Sequence, residues 1–246
     1  MGAPDWLTSR PVAHRGLHDA AHGVFENTPS SVAAAVAANY AIEVDLQITA
    51  DGEAMMHHDE ALGRLTEGSG ALSTMTAQAL RQVPFKATAD RMISLGELCD
   101  LVAGRVTLVL ELKSHFDGNP QLPLRVADVL KSYGGPVAVM SFDPGHVAVL
   151  RGTSPALMRG LVAEQRYRPY HQDRSWFRAG MDYVADLARA RPQFLAYSVR
   201  DLPSAVPTTS RHLLGLPLLT WTVRTDEDRA RAARWADQMI FEGFRP

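Results

Sequence analysis

Eight short apolar runs, rich in Val, Ile, Leu and Phe, recur through this 246-residue chain with helical patterns between them. They fall at about 12–14, 41–49, 106–113, 137–141, 158–163, 194–199, 218–223 and 238–242. The helical patterns lie at about 30–40, 122–133, 144–151, 175–190, 207–214 and 225–236. Two of them open with sound start signals: Thr28 before Pro29 suits an N-cap and first helical position, and Asp226, Glu227 and Asp228 suit the positive end of a helix dipole. A strand that reaches its neighbour through a helix must run parallel to it. Eight such units predict an α/β fold of the (β/α)8 TIM-barrel type rather than an open sheet. A hydrophobic content of 46% is ample for one barrel domain over residues 1–246. The irregular part is about 50–105, between the second and third strands. It holds an extended run at 53–58, the turn Glu67-Gly68-Ser69-Gly70 and two helical pieces. It reads as a small insertion over the barrel mouth.

The formal net charge of -2 offers no electrostatic case for nucleic acid or an anionic membrane. No apolar run approaches the ~18 residues of a membrane span, so stable membrane insertion is not expected. The single cysteine, Cys99, lies among Leu95, Leu98, Leu101 and Val102 at helical spacing and reads as packing in a reducing compartment. Residues 1–6 have neither a basic nor an apolar signal region, so a cytoplasmic protein is the expectation. The oligomeric state is not legible.

Polar residues interrupt the strands in a pattern. Glu43 and Asp45 are two apart on one strand and share a face, as do Glu111 and Lys113 on the next. Buried carboxylates are costly unless cations or strong donors meet them. Three at one rim would repel by about 4 kcal/mol per pair at ~4 Å and an effective dielectric of ~20. Oxygen-only ligation suits a hard ion, Mg²⁺ or Ca²⁺, better than zinc. His14-Arg15-Gly16 follows the first strand: the arginine suits phosphate oxygens, and the histidine can move a proton near neutral pH. His57-His58-Asp59 is a second histidine cluster, and strand parity lets only one of its histidines face the mouth without choosing which. His18, His22, His115, His146, His171 and His212 keep no comparable company and read as structural.

These residues together resemble the glycerophosphodiester phosphodiesterases over nearly the whole chain. His14-Arg15-Gly16 with Glu26-Asn27-Thr28 is similar to that family's opening element. Glu43-Val44-Asp45, the run from His58-Asp59 to Arg64-Leu65-Thr66, and Glu111-Leu112-Lys113 follow in the family's order, with Ser141-Phe142-Asp143 and Trp221-Thr222-Val223 as later landmarks. The resemblance selects His58 over His57. It implies His14 and His58 as an acid–base pair, and Glu43, Asp45 and Glu111 as ligands of one divalent cation, Mg²⁺ or Ca²⁺. It further implies Arg15 and Lys113 on the phosphate, Glu26 as a supporting or direct polar contact, and Trp221 as an apolar wall. One departure stands out: the chain ends Phe241-Glu242-Gly243-Phe244-Arg245-Pro246, with Glu242 where the family often has Thr-Asp.

The implied activity is metal-dependent hydrolysis of glycerophosphodiesters to glycerol 3-phosphate and an alcohol, a step in lipid and glycerol metabolism. A lysophospholipase D-like relative would use the same rim and would need an apolar platform, for which the insertion offers Met55, Met56, Leu62, Leu65, Leu72 and Met75. A non-catalytic phosphate-binding barrel is the third reading, and it has no need of two histidines.

Overall fold

The computed structural model describes residues 4–165 and 176–246; His171 lies outside them. Eight parallel strands close on themselves: β1 (Val12–Ala13), β2 (Ala41–Ile48), β4 (Leu108–Leu112), β5 (Val137–Ser141), β6 (Met158–Ala163), β7 (Phe194–Ser198), β8 (Leu218–Val223) and β9 (Gln238–Phe241), with β9 pairing back onto β1. The barrel expected from the alternation of elements is the one observed. Helices α2 (Pro29–Ala37), α4 (Leu95–Val102), α5 (Gln121–Leu130), α6 (Pro144–Thr153), α7 (Trp176–Ala190), α8 (Ala205–Leu214) and α9 (Asp226–Trp235) fall between strands, while α1 (Asp5–Thr8) precedes the first. The start signals behave as their chemistry requires. Thr28 accepts the Ser31 N–H at the head of α2, and Thr225 accepts the Asp228 N–H at the head of α9.

Strand alternation sorts the side chains. On β2, Ile42, Val44 and Leu46 pack outward in the core that also holds α2, α4 and α5, while Ala41 joins the inner core with Val12, Val109, Ala138, Phe194 and Ile240. The inner core fills the N-terminal half of the barrel, and Leu7 of α1 packs into it. A Cβ at Gly160 would lie 2.3 Å from the Phe194 ring, so that ring fits only against glycine.

β1 has only two residues and pairs with the start of β2. The end of β2 pairs instead with β3 (Ala54–Met56), antiparallel, through Leu46↔Met56 to Ile48↔Ala54. This hairpin returns the chain to the rim just where His57 and His58 follow. The stretch beyond it carries its own small core of Met55, Leu62, Leu72, Leu80, Phe85 and Met92, with α3 (Ala77–Gln82), while Leu65 and Met75 pack on it partly buried. Met56 is buried in the main core. Met55, Met56, Leu62 and Leu72, four of the six apolar residues that might have served an acyl chain, are thus buried. α4 packs on α2 and α5, so the tail of the irregular 50–105 stretch is a barrel helix.

Cys99 lies in α4 and is 8% exposed. Burial pushes its thiol up to about 11. At pH 8 the reactive thiolate is then about a thousandth of the native population, against roughly a quarter for a free thiol of pKa ~8.5. Native protein is expected to resist a thiol-disulfide reagent at pH 8 and to react fully in denaturant; rapid native labelling would place Cys99 at the surface. Among the described residues, no helix is long and apolar enough to cross a membrane.

Candidate active site

The site begins with the turn after β1. The His14 N–H still donates to the Phe241 carbonyl at 2.9 Å, so His14 continues the inward-facing row above Val12. The chain then turns sharply: Arg15 and Gly16 have φ of 55° and 81°. A Cβ at Gly16 would lie 2.3 Å from Ser31 Oγ, so both the backbone angle and the close approach of α2 require glycine. Glu43 fastens this turn. Its Oε2 accepts the Arg15 N–H at 2.9 Å, and its carbonyl accepts the Gly16 N–H at 3.1 Å.

The segment before α2 locks the same region from the other side. Asn27 pairs twice with Asp45: Nδ2 donates to Oδ2 at 2.8 Å, and the Asp45 N–H donates to Oδ1 at 3.1 Å. Glu26 Oε1 accepts Arg15 Nη1 at 2.7 Å. Arg15 Nε lies 3.2 Å from Asp45 Oδ2, and Lys113 Nζ lies 2.7 Å from Asp45 Oδ1 and 2.5 Å from Glu111 Oε1.

Glu43, Asp45 and Glu111 each offer an oxygen within 4.8 Å of the others, and all three are buried. Burial first, and then the Asp45 and Glu111 carboxylates, push the Glu43 pKa well above its ordinary value. Burial acts the same way on Asp45, but Lys113 and Arg15 outweigh it and hold that carboxyl below the usual range. The set fits a hard dication on an observation beyond composition. Glu43 Oε1 is buried without a hydrogen-bond partner, which leaves a lone-pair acceptor in want of a cation.

Two imidazoles flank the nest, each held by a carboxylate through Nδ1. Glu242 Oε2 lies 2.5 Å from His14 Nδ1, and Asp59 Oδ1 lies 2.9 Å from His58 Nδ1. Although burial would raise the Glu242 carboxyl, its bonds to His14, His18 and Arg224 hold it well below the usual range. An ionised carboxylate only accepts, so Nδ1 of His14 carries the hydrogen and Nε2 is the free nitrogen. That Nε2 lies 4.0 Å from Glu43 Oε2. Desolvation lowers the His14 pKa more than Glu242 restores it, which favours the neutral ring.

A cavity of about 470 Å³ opens at the strand C-termini. Its wall includes His14, Arg15, Glu43, His58, Glu111, Lys113 and Trp221. Asp45 lies just behind, beneath Lys113 and Arg15. Glu26 also lies outside the wall, where it bridges Arg15 to Arg64. His57 is 2% exposed, while His58 lines the cavity. Trp221 packs edge-on against Phe142 with ring centroids 5.5 Å apart.

Four placements go beyond the sequence reading. His18, read as structural, sits 3.7 Å from Glu242 Oε2 and forms a second donor cluster with His14 and Glu242. His115 lines the cavity and meets Glu60 at 3.2 Å. Glu242, noted only as a departure, is the partner of His14. Asn27 carried no role within its motif, yet it braces Asp45. Closure of β9 onto β1 is the signal for Glu242, because inward parity from Ile240 puts it on the side of His14.

Active sites of this fold sit where this cavity sits. Cations beside a carboxylate nest and two oriented imidazoles define the class: a barrel hydrolase of phosphate esters. The chain belongs to the Glycerophosphoryl diester phosphodiesterase family, whose profile matches residues 14–244. A glycerophosphodiester phosphodiesterase of Caldanaerobacter subterraneus subsp. tengcongensis is 25% identical over 231 residues, covering 89% of this chain and 88% of its own. Glycerophosphodiester phosphodiesterase 1 of Homo sapiens is 35% identical over 171 residues, 65% of this chain and 49% of its own length, so the match spans about half of that relative. Among solved structures, an Oleispira antarctica phosphodiesterase in complex with the product sn-glycerol-3-phosphate superposes with a TM-score of 0.79 at 18% identity, covering 96% of this chain and 94% of that one. A Thermotoga maritima glycerophosphodiester phosphodiesterase gives a TM-score of 0.71 at 20% identity, covering 94% of each chain. These structural likenesses concern the fold.

Proposed function

We propose that the protein hydrolyses glycerophosphodiesters to glycerol 3-phosphate and an alcohol, with a divalent ion, Mg²⁺ or Ca²⁺, held by Glu43, Asp45 and Glu111. The observation that carries the reading is the convergence of this nest with two carboxylate-oriented imidazoles on one rim, in a chain of this family. The ion would supply positive charge to the phosphate oxygens in the transition state. Arg15 and Lys113 add charge to the same end, and Trp221 gives the glycerol or the departing alcohol an apolar wall. His14 takes a proton at Nε2 from the attacking hydroxyl. His58, protonated, gives one from Nε2 to the departing alcohol, whose alkoxide is too basic to leave unaided. The attacking group in this reading is the glycerol 2-hydroxyl. A cyclic phosphate forms, and water opens it afterwards with the two histidines exchanging roles.

The lysophospholipid reading gains no support, since Met55, Leu62 and Leu72 are buried in the insertion's own core and Met56 in the main one. The assay is a panel of glycerophosphodiesters, with a lysophospholipid as control. Turnover is expected to vanish in EDTA and to return with Mg²⁺ or Ca²⁺. Full activity in EDTA would remove the ion from the reaction, and a chain that cleaves no diester with either ion present would overturn the function.

A further inference from the structure

Arg64 lies outside the cavity wall and its side chain is 46% exposed, yet its guanidinium serves two carboxylates of the site. Nε donates to Asp59 Oδ2 at 2.6 Å, and Nη2 donates to Asp59 Oδ1 at 3.1 Å and to Glu26 Oε1 at 2.6 Å. Glu26 Oε1 also accepts Arg15 Nη1 at 2.7 Å, so two guanidinium groups meet on one oxygen. Asp59 faces His58 Nδ1 at 2.9 Å. A continuous series of charge-assisted bonds therefore runs from Arg15 through Glu26, Arg64 and Asp59 to His58.

Half-exposed ion pairs add little to stability, so stability is a poor reason for this arrangement. Orientation is a better one. β3 ends at Met56, which leaves His58 and Asp59 beyond the strand ladder. Among the described residues, the hydrogen bonds to the Asp59 side chain come from His58 and Arg64. A planar fork on both carboxylate oxygens fixes their plane, which a point charge does not. The turn bearing Arg64 is itself fastened: the Gly63 N–H donates to Thr66 Oγ1 at 3.2 Å, and Lys86 donates to the Gly63 carbonyl.

We infer that Arg64 is a positioning residue: its fork sets Asp59 so that the hydrogen of His58 stays on Nδ1 and Nε2 is presented to the cavity, and through Glu26 it ties that imidazole to Arg15. The inference rests on the role proposed for His58. The test uses Arg64→Gln, Arg64→Lys, Asp59→Asn and the Arg64→Gln/Asp59→Asn double variant. Loss of a group that orients a functional side chain from behind typically costs about 10–100-fold. Arg64→Gln is expected to lower kcat by that factor with KM held within about twofold. Arg64→Lys, which keeps the charge and loses the fork, is expected to stay equally low. The double variant is expected to be no slower than Asp59→Asn alone.

The second readout needs no turnover. Ring ¹⁵N NMR of neutral His58 is expected to show hydrogen on Nδ1 in the wild type and a tautomer mixture in Arg64→Gln. A wild type without diesterase activity would sink the proposed function, while the ring nitrogens would still decide Arg64. An unchanged tautomer, restoration by lysine, or a raised KM that multiplies with Asp59→Asn would overturn the inference.

Discussion

His58→Ala is expected to lower turnover at least about a hundredfold while leaving the melting temperature within a few degrees of the wild type. A positioned proton donor contributes ~10²–10⁴ in rate. His58 lines the cavity, and its Nδ1 is occupied by Asp59, which leaves a single nitrogen for chemistry. Its side chain is 32% exposed and lies outside the buried core, so removing it opens no large void. The loss is expected in kcat, because in the proposed reading Arg15, Lys113 and the ion would still hold the phosphate. A substrate with a good leaving group, such as a nitrophenyl diester, needs no protonation of its alcohol and is expected to recover much of the rate. Near-normal turnover of a natural diester by His58→Ala would remove this histidine from the reaction.

Lys113→Met is expected to destabilise the metal-free protein by about 3 kcal/mol, the low end for breaking a buried charge pair. For a chain of this size that corresponds to a fall of about 6–12 °C in melting temperature. Lys113 Nζ touches Asp45 and Glu111 together, and these two share the nest with Glu43. Burial alone would lower the lysine pKa; the two carboxylates outweigh it and hold the ammonium above its ordinary range. Without that charge the nest keeps three carboxylates against the Arg15 guanidinium. Glu43, already raised, can take a proton and relieve part of the repulsion, so the low figure applies. A divalent ion acts on the same oxygens. Saturating Ca²⁺ or Mg²⁺ is therefore expected to recover at least half of the lost melting temperature, and to raise the variant more than the wild type. Equal melting of wild type and variant in EDTA would mean that Lys113 does not balance these acids.

Much of this was legible in residue order. The eight strands fall where apolar runs predict them, and the helix starts at Pro29 and Asp226 follow from Thr28 and the acidic turn. Parity on β2 and β4 was enough to aim Glu43, Asp45, Glu111 and Lys113 at one rim, because a strand's period leaves no other choice. His58 was harder. It follows the end of β3, so strand parity does not extend to it, and only the resemblance separated it from His57. Glu242 meets His14 across 228 positions of chain, a contact that local pattern cannot carry; barrel closure supplies it. His18 lies in an irregular turn with no period to read. The stretch at 50–105 shows a helix over Leu95, Leu98 and Val102, but spacing alone does not say that this helix joins the barrel's outer layer.

Crystals grown with Mn²⁺ and glycerol 3-phosphate, measured for anomalous scattering, test the central claim most directly. One strong peak is expected, ligated by Glu43, Asp45 and Glu111, with the phosphate against it and His14 and His58 both within reach of its ester oxygens. A peak lodged instead among His14, His18 and Glu242, or no peak at saturating Mn²⁺, would contradict it.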